Sequence, residues 1–341
     1  MKHIVHLITG LQRGGAETVL VTLCKELAAY GHRQSVIFFK DGPLKQELQA
    51  LGIATYHVGY ITLFSTIKKL NPDCIHSLLW SANILARIMG KWLQIPTYCA
   101  LHTVSEHSGK LRNILDIVLP VHPRKYIAVS ETVATSYKHI VPAQKIVIIE
   151  NGIPLRGAQV QEKNSEIFTI GTVGRFVPVK NYALLLQAFA QLYQEYKNIH
   201  LILVGHGPLE NELRALAQQL GIQDIVTFVI NQPAHAYYVL FDCFVQPSAH
   251  EGLSIALLEA LQAQLPVIVT GQNHQHACIT HKKHGLVIQP NHVETLYSAL
   301  KEYLLDRPTA QLYAQAGYQH VQQNFSSAAM AQKYNSLFCN K

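Results

Sequence analysis

Along the chain, apolar runs of roughly four to eight residues alternate with stretches in which apolar residues recur every three or four positions. The first kind reads as strands buried on both faces, the second as amphipathic helices. In the first half the strand candidates are residues 3–8, 34–39, 54–58, 74–78, 97–101, 126–129 and 145–149. In the second half they are 168–173, 199–204, 225–229, 243–246, 266–269 and 286–288. Between the first two, Ala16, Val19, Leu20, Leu23 and Leu27 keep helical spacing, and Gly31 ends the run. Helical patterns also follow Lys180, Pro208 and Gly252, and a closing helical stretch runs from about Ala310 to Leu337.

This alternation predicts an α/β chain of two doubly wound, Rossmann-like domains with mainly parallel sheets. A polar, aperiodic stretch from Pro154 to Ser165 marks the join. The expected division is an N-terminal domain over residues 1–157, a second domain over 158–320, and a closing helix over 321–341 that packs back on the first. Ligands of doubly wound sheets bind beyond the carboxyl ends of the strands. Two such domains facing each other would therefore hold a ligand in a cleft lined by strand-end loops.

Composition narrows the class. With 341 residues, the chain exceeds the span of one typical core. Charged residues are scarce at 14%, so Gln, Asn, Ser and the 19 histidines supply much of the polar surface. The net charge of +7 is uneven: residues 1–165 carry 18 Lys and Arg against 10 Asp and Glu, and the remainder 10 against 11. A basic first half fits an anionic lipid or a phosphorylated acceptor. Nucleic acid is disfavoured, because there is no Lys/Arg run, RNA-binding signature or zinc-finger spacing. The six cysteines are scattered without a short-spaced pair, which suits reduced thiols and a cytoplasmic location. The opening residues read as a first strand rather than a signal peptide, and no apolar run approaches a membrane span.

The loops after the strand candidates hold the chemistry-bearing residues. Pro247-Ser248-Ala249-His250-Glu251-Gly252 is followed by Leu258-Glu259-Ala260. Gly252 is expected to open a helix whose free N–H groups and positive dipole end favour an anion. Eight residues of helix rise ~12 Å, which would set Glu251 beside the anion and Glu259 a nucleotide's reach away. An isolated pair of this kind is more often two solvated carboxylates. Gly174-Arg175, followed by Lys180-Asn181, places two cations between a strand and a helix, where they can converge on one diphosphate. Gly14-Gly15 opens the first helix but has neither the P-loop nor the dinucleotide spacing. Gly205-His206-Gly207-Pro208 is a turn compatible with close ligand approach, and His102 ends another strand.

Taken in order, these motifs resemble the family-4 retaining glycosyltransferases of the GT-B architecture. The ordered set is Gly14-Gly15-Ala16-Glu17, Pro72-Asp73-Cys74-Ile75-His76, His102, Val129-Ser130-Glu131, Asn151-Gly152-Ile153, Gly174-Arg175 with Lys180-Asn181, Val204 to Pro208, Asp242 with Pro247-Ser248, and Glu251 with Glu259. The resemblance implies transfer of a sugar, with retention, from a UDP-linked or related nucleotide-sugar donor on the second domain. The acceptor, a glycan or lipid-linked precursor, would lie on the first. Arg175 and Lys180 would neutralise the donor diphosphate in place of a divalent metal, so no cofactor is expected. N–H groups near Gly252, Leu253 and Ser254 would add to them. Glu251 would accept from donor sugar hydroxyls and Glu259 from the ribose. His102 would face the donor sugar, while Gly15 and Gly205 would lie close to the donor. Glu251 is not expected to be a covalent nucleophile, since the paired carboxyls of retaining glycosidases are not supplied.

Two segments depart from the pattern. Gln272 to Cys278, with His281 and His284, is either a diverged turn or a His/Cys metal site spanning 274–284. His107 to Lys125 mixes cations with Ile114, Leu115, Ile117, Val118 and Leu119; it fits peripheral contact with a membrane face and, equally, an ordinary packed helix. A nucleotide-sugar epimerase and a non-catalytic sugar-nucleotide-binding protein remain alternatives at this point.

Overall fold

The computed structural model describes residues 1–105, 110–119, 121–157, 166–271 and 278–339. The loop 272–277, which carries most of the His/Cys motif, lies outside them. The chain forms two compact units, one of Met1–Pro154 with Phe325–Lys341 and the other of Leu155–Asn324.

The first unit runs β1 (His3–Gly10), α1 (Gly15–Ala28), β2 (Arg33–Lys40), α2 (Leu44–Ala50), β3 (Ala54–His57), α3 (Leu63–Leu70), β4 (Cys74–Leu78), α4 (Trp80–Leu93), β5 (Thr97–Leu101), α5 (Lys110–Val118), β6 (Lys125–Ala128), α6 (Glu131–Tyr137) and β7 (Ile146–Ile148). Its seven strands are parallel in the order β3-β2-β1-β4-β5-β6-β7. The central strands are buried along nearly their whole length, which is why their apolar residues fall on both faces rather than alternating with an exposed polar face. Their side chains divide by parity. Val5, Leu7 and Ile37 pack in one core layer, and Ile8, Val36 and Phe38 in another.

The second unit runs β8 (Phe168–Val173), α7 (Tyr182–Glu195), β9 (Ile199–Val204), α8 (Glu210–Gln219), β10 (Val226–Val229), β11 (Cys243–Gln246), α9 (Ile255–Gln262), β12 (Val267–Thr270), β13 (Leu286–Ile288), α10 (Val293–Leu305) and α11 (Arg307–Asn324). Its six strands are parallel in the order β10-β9-β8-β11-β12-β13. The fold is therefore α/β with two Rossmann-like parallel sheets.

The closing helical stretch is two helices. α11 ends at Asn324, and α12 (Ser327–Cys339) belongs to the first unit, packing on α1. Phe325 and Ser326 break the helix because their backbone bonds elsewhere. Ile153 N–H donates to the Phe325 carbonyl at 2.9 Å, and Ser327 N–H to the Ile153 carbonyl at 2.8 Å. A side chain on Gly152 would strike the Ser326 carbonyl oxygen at 2.4 Å, so this crossing requires glycine there.

Two histidines meet in register on the central strands of the first sheet. The Nδ1 atoms of His6 and His76 lie 3.0 Å apart. Gln34 donates its amide to the Cys24 carbonyl at 2.9 Å, so its oxygen accepts from His6 Nε2 at 3.2 Å. His6 then accepts at Nδ1, and His76 Nδ1 carries the hydrogen between them. His6, which donates at Nε2 and accepts at Nδ1, must be neutral for this chain of bonds. Burial enforces that state: it pushes His6 down to about 4 and His76 well below the usual imidazole range. A folded pKa below the unfolded 6.5 leaves stability intact above pH 6.5 and erodes it as pH falls towards 4. For His6 the loss is about 3 kcal/mol by pH 4. Urea midpoints measured between pH 7 and pH 4 should fall, and His6→Gln should flatten that fall. An unchanged pH profile in the variant would contradict the assignment.

Candidate functional site

In the second unit, strand order reverses between β8 and β11, and doubly wound sheets bind their ligands in the crevice beyond the carboxyl ends of such a strand pair. The loop after β8 carries Gly174 and Arg175, then a short 3-10 turn, Pro178–Lys180, before α7. The loop after β11 carries Pro247 to Leu253. Backbone ties the two loops together, with Ala249 N–H donating to the Val179 carbonyl at 2.8 Å. Side chains repeat the tie. The Lys180 ammonium donates to Glu251 Oε1, which also accepts from the Ser248 hydroxyl at 3.0 Å. Lys180 and Glu251 are 18% and 21% exposed, so their charges offset one another in a partly dry setting. Arg175 is exposed and makes no side-chain hydrogen bond or ion pair among the described residues. Among the described residues of these two loops, Arg175 is thus a positive charge without a counter-charge.

The helix beyond Glu251 does not begin where the glycine suggests. α9 starts at Ile255, and Ser254 is its N-cap, accepting from Leu257 N–H at 3.4 Å. A serine hydroxyl satisfies a first-turn N–H that a glycine cannot reach, and so Ser254 fixes the start. Glu251 therefore sits in the loop, off the helix, and the two carboxylates are not stacked along one axis. Gly252 and Leu253 are buried between loop and helix. Glu259 lies inside α9, where Oε2 accepts from the Tyr238 hydroxyl at 2.9 Å. Burial raises the Glu259 carboxyl, opposed by that hydrogen bond and by the Arg156 charge.

Gly205 makes its close approach to protein. A Cβ there would lie 1.9 Å from the Gly174 carbonyl oxygen, and its φ of +156° also disfavours a side chain. The loops after β8 and β9 are stacked through this contact, which holds Gly174 and Arg175 in place. Tyr238 and Ser248 are partners that spacing did not reveal. Ser248 belongs to the Pro247-Ser248 motif but carried no expected role there. Tyr238 comes from a 3-10 turn, Tyr238–Leu240, well away in sequence.

The first unit has its own reversal, between β1 and β4. A cavity of about 240 Å³ opens there, lined among others by Thr9, Trp80, His102, Thr103, Arg112 and Asp116. His102 follows β5. Burial pushes its pKa down to about 4, so the ring is neutral near pH 7, and its Nε2 is buried without a hydrogen-bond partner. Leu79, at the start of α4, has φ +74° and ψ 148°, a conformation that costs a non-glycine residue energy. Gly15 is the first residue of α1, capped by extended Gly14; a Cβ on Gly15 would meet nothing within 4 Å.

Beneath the cavity lies an ion pair unseen in the spacing. Arg87 donates to Asp116 Oδ1 and to the Leu119 carbonyl, while Trp80 Nε1 donates to Asp116 Oδ2 at 3.0 Å. Asp116 comes from α5, the stretch read as amphipathic. That helix turns Asp116 inward and leaves Ile114, Ile117 and Val118 more than half exposed.

Several motif residues hold structure instead. Asp73 Oδ2 accepts from His3 N–H and Asp242 Oδ2 from Thr169 N–H, both at 2.7 Å, so each carboxylate fastens the start of a central strand. Ser130 caps α6. His281 and His284 each accept a backbone N–H at Nδ1, at 3.0 and 3.3 Å, and His284 stacks on His320 with centroids 4.3 Å apart. Among the described residues no group of three His, Cys, Asp or Glu side chains could hold a metal, and no helix is long and apolar enough to cross a membrane.

Comparison with known proteins agrees with this architecture. Residues 13–156 match the family Glycosyltransferase Family 4, and residues 157–320 match Glycosyl transferases group 1. A lipopolysaccharide core biosynthesis glycosyltransferase, LpsD, of Rhizobium meliloti is 24% identical over 98% of this chain and 97% of its own. The alpha-monoglucosyldiacylglycerol synthase of Acholeplasma laidlawii is 25% identical over 84% and 80%. The Anabaena protein Alr3699/HepE, solved in complex with UDP-glucose, superposes with a TM-score of 0.90 at 19% identity, covering 99% of each chain. The chain belongs to the family-4 glycosyltransferases of the GT-B fold.

Proposed function

We propose that the protein is a retaining glycosyltransferase that moves a sugar from a UDP-linked donor to a glycan or lipid-linked acceptor. One observation carries the reading: at the β8/β11 reversal, the Lys180–Glu251 pair stands in the same loop pair as an exposed Arg175 that has no partner among the described residues. A donor diphosphate supplies the negative charge this site lacks. Arg175 would take it as a bidentate fork and Lys180 as a point charge, aided by the positive end of α9 at Leu253 and Ser254. Those groups would also stabilise the charge that develops on the leaving diphosphate, which is where most of the rate acceleration is expected to arise. No divalent metal is then required.

Glu251 positions rather than attacks. Its Oε1 is shared by Lys180 and Ser248, leaving Oε2 to accept from a sugar hydroxyl. Glu259 keeps Oε1 for the ribose while Tyr238 holds Oε2. His102, neutral and unpartnered at Nε2, would meet a hydroxyl of the donor sugar. The UDP-glucose complex of Alr3699/HepE supports the donor class. The named activities of LpsD and the Acholeplasma synthase support a glycan or lipid acceptor. The exposed face of α5 is where we place contact with the membrane of a lipid-linked acceptor. The protein should act beside that membrane on the cytoplasmic side, without nucleic acid as a partner.

A panel of nucleotide sugars, assayed in EDTA for release of nucleoside diphosphate, tests the proposal. Turnover of a UDP-sugar without added metal is expected. Absence of turnover with every donor, or strict dependence on a divalent ion, would refute it.

A further inference from the structure

The cavity at the β1/β4 reversal has a charge balance of its own. Asp116 is consumed by Arg87 and Trp80, and Arg87 by Asp116 and two backbone carbonyls. Neither buried charge is left for a ligand. Arg112 is different: it is exposed, its guanidinium carbon lies 5.2 Å from the centroid of the Trp80 ring, and no carboxylate pairs with it among the described residues. The cation–π contact with Trp80 holds the fork at the cavity wall, with its N–H groups free of partners among the described residues. The start of α4 lines the same cavity through Trp80 and Ser81, and it has no side-chain cap. A 14-residue helix there adds the positive end of its dipole. His102 Nε2, buried and without a hydrogen-bond partner, belongs to the lining of the same cavity, whose wall thus holds a polar atom still to be satisfied.

We propose that this cavity binds an acidic group on the acceptor, a phosphate ester or a carboxylate, through Arg112 and the first turn of α4. The inference rests on the reading that the first unit takes the acceptor. At about 240 Å³ the cavity is smaller than a whole small-molecule site, so it suits one charged sugar residue rather than an extended glycan. Arg112 is then a specificity residue, and neutral acceptors leave its charge unanswered.

The test compares an alkyl hexoside, its phosphate ester and the corresponding alkyl hexuronide on the full chain. In the first arm each compound is titrated without donor by calorimetry. In the second, kcat/KM for transfer is measured with the nucleotide sugar that the protein turns over. An acidic compound should exceed the neutral one by ~10-fold at low salt, with the preference shrinking as salt rises. Preference for the phosphate ester alone assigns a phosphorylated acceptor, and preference for the hexuronide alone a carboxylated one. Arg112→Gln should collapse the acidic-to-neutral ratio, and Arg112→Lys, which keeps charge but loses the fork, should restore part of it. A neutral compound that matches the acidic ones, or a ratio indifferent to Arg112→Gln, overturns the inference. Should no donor turn over, the glycosyltransferase reading fails by itself, and the calorimetric arm still decides the cavity.

Discussion

Arg175→Ala is expected to lower kcat/KM for sugar transfer by ~10²–10³-fold while leaving the fold intact. The two halves of that expectation have separate causes. Arg175 is exposed and makes no ion pair or side-chain hydrogen bond among the described residues, so its removal strands no buried group. Its proposed work is done only when a diphosphate accumulates charge as the glycosyl bond breaks. Lys180→Ala is a less clean probe, because it leaves Glu251 partly buried with only Ser248 for company. That variant should lose activity and some stability together. Steady-state kinetics on Arg175→Ala, with thermal unfolding alongside, separate the two. A loss smaller than about threefold would remove Arg175 from the mechanism.

Arg87→Leu should instead cost stability, by about 3–5 kcal/mol, because it strands the Asp116 carboxylate in the interior. The side chains of Arg87 and Asp116 are 1% and 8% exposed. Trp80 would still donate to one carboxylate oxygen, but nothing would offset the charge. The double variant Arg87→Leu/Asp116→Leu should recover most of the loss, since two apolar side chains of similar reach leave no charge unpaired. Urea unfolding of the three proteins checks this. If Arg87→Leu loses under ~1 kcal/mol, the pair does not anchor α5. Because Arg112 and Asp116 share that helix, the single variant should also blur any acceptor preference.

What could be read from the chain follows from the range of each interaction. The parallel strands announced themselves because both faces of β1, β4, β5 and β11 are buried, giving mainly apolar runs without an exposed polar face. Loops at strand ends could be placed once the strands were known. Local competition was harder to see. Gly252 looked like a helix opener, yet the hydroxyl of Ser254, two residues on, captures the N–H that sets the helix start. The break at Phe325 and Ser326 has no glycine or proline of its own; it exists because Ile153, far away in sequence, bonds to both sides of it. Partners across the fold were invisible for the same reason. Lys180 and Glu251 are 71 positions apart, and Arg87 and Asp116 are 29. Lys180 and Glu251 could be singled out by type and place and Arg87 and Asp116 could not, and in both pairs which cation meets which carboxylate is settled by strand order. Tyr238 gave no signal at all, since nothing in a short 3-10 turn points to a helix carboxylate.

The central claim, that the β8/β11 reversal is a metal-independent site for a nucleotide sugar, is tested most directly by calorimetric titration of UDP in EDTA. Wild-type protein should bind, and Arg175→Ala should bind at least ~10-fold more weakly. Equal affinity in the two proteins, or no binding without a divalent ion, would contradict it.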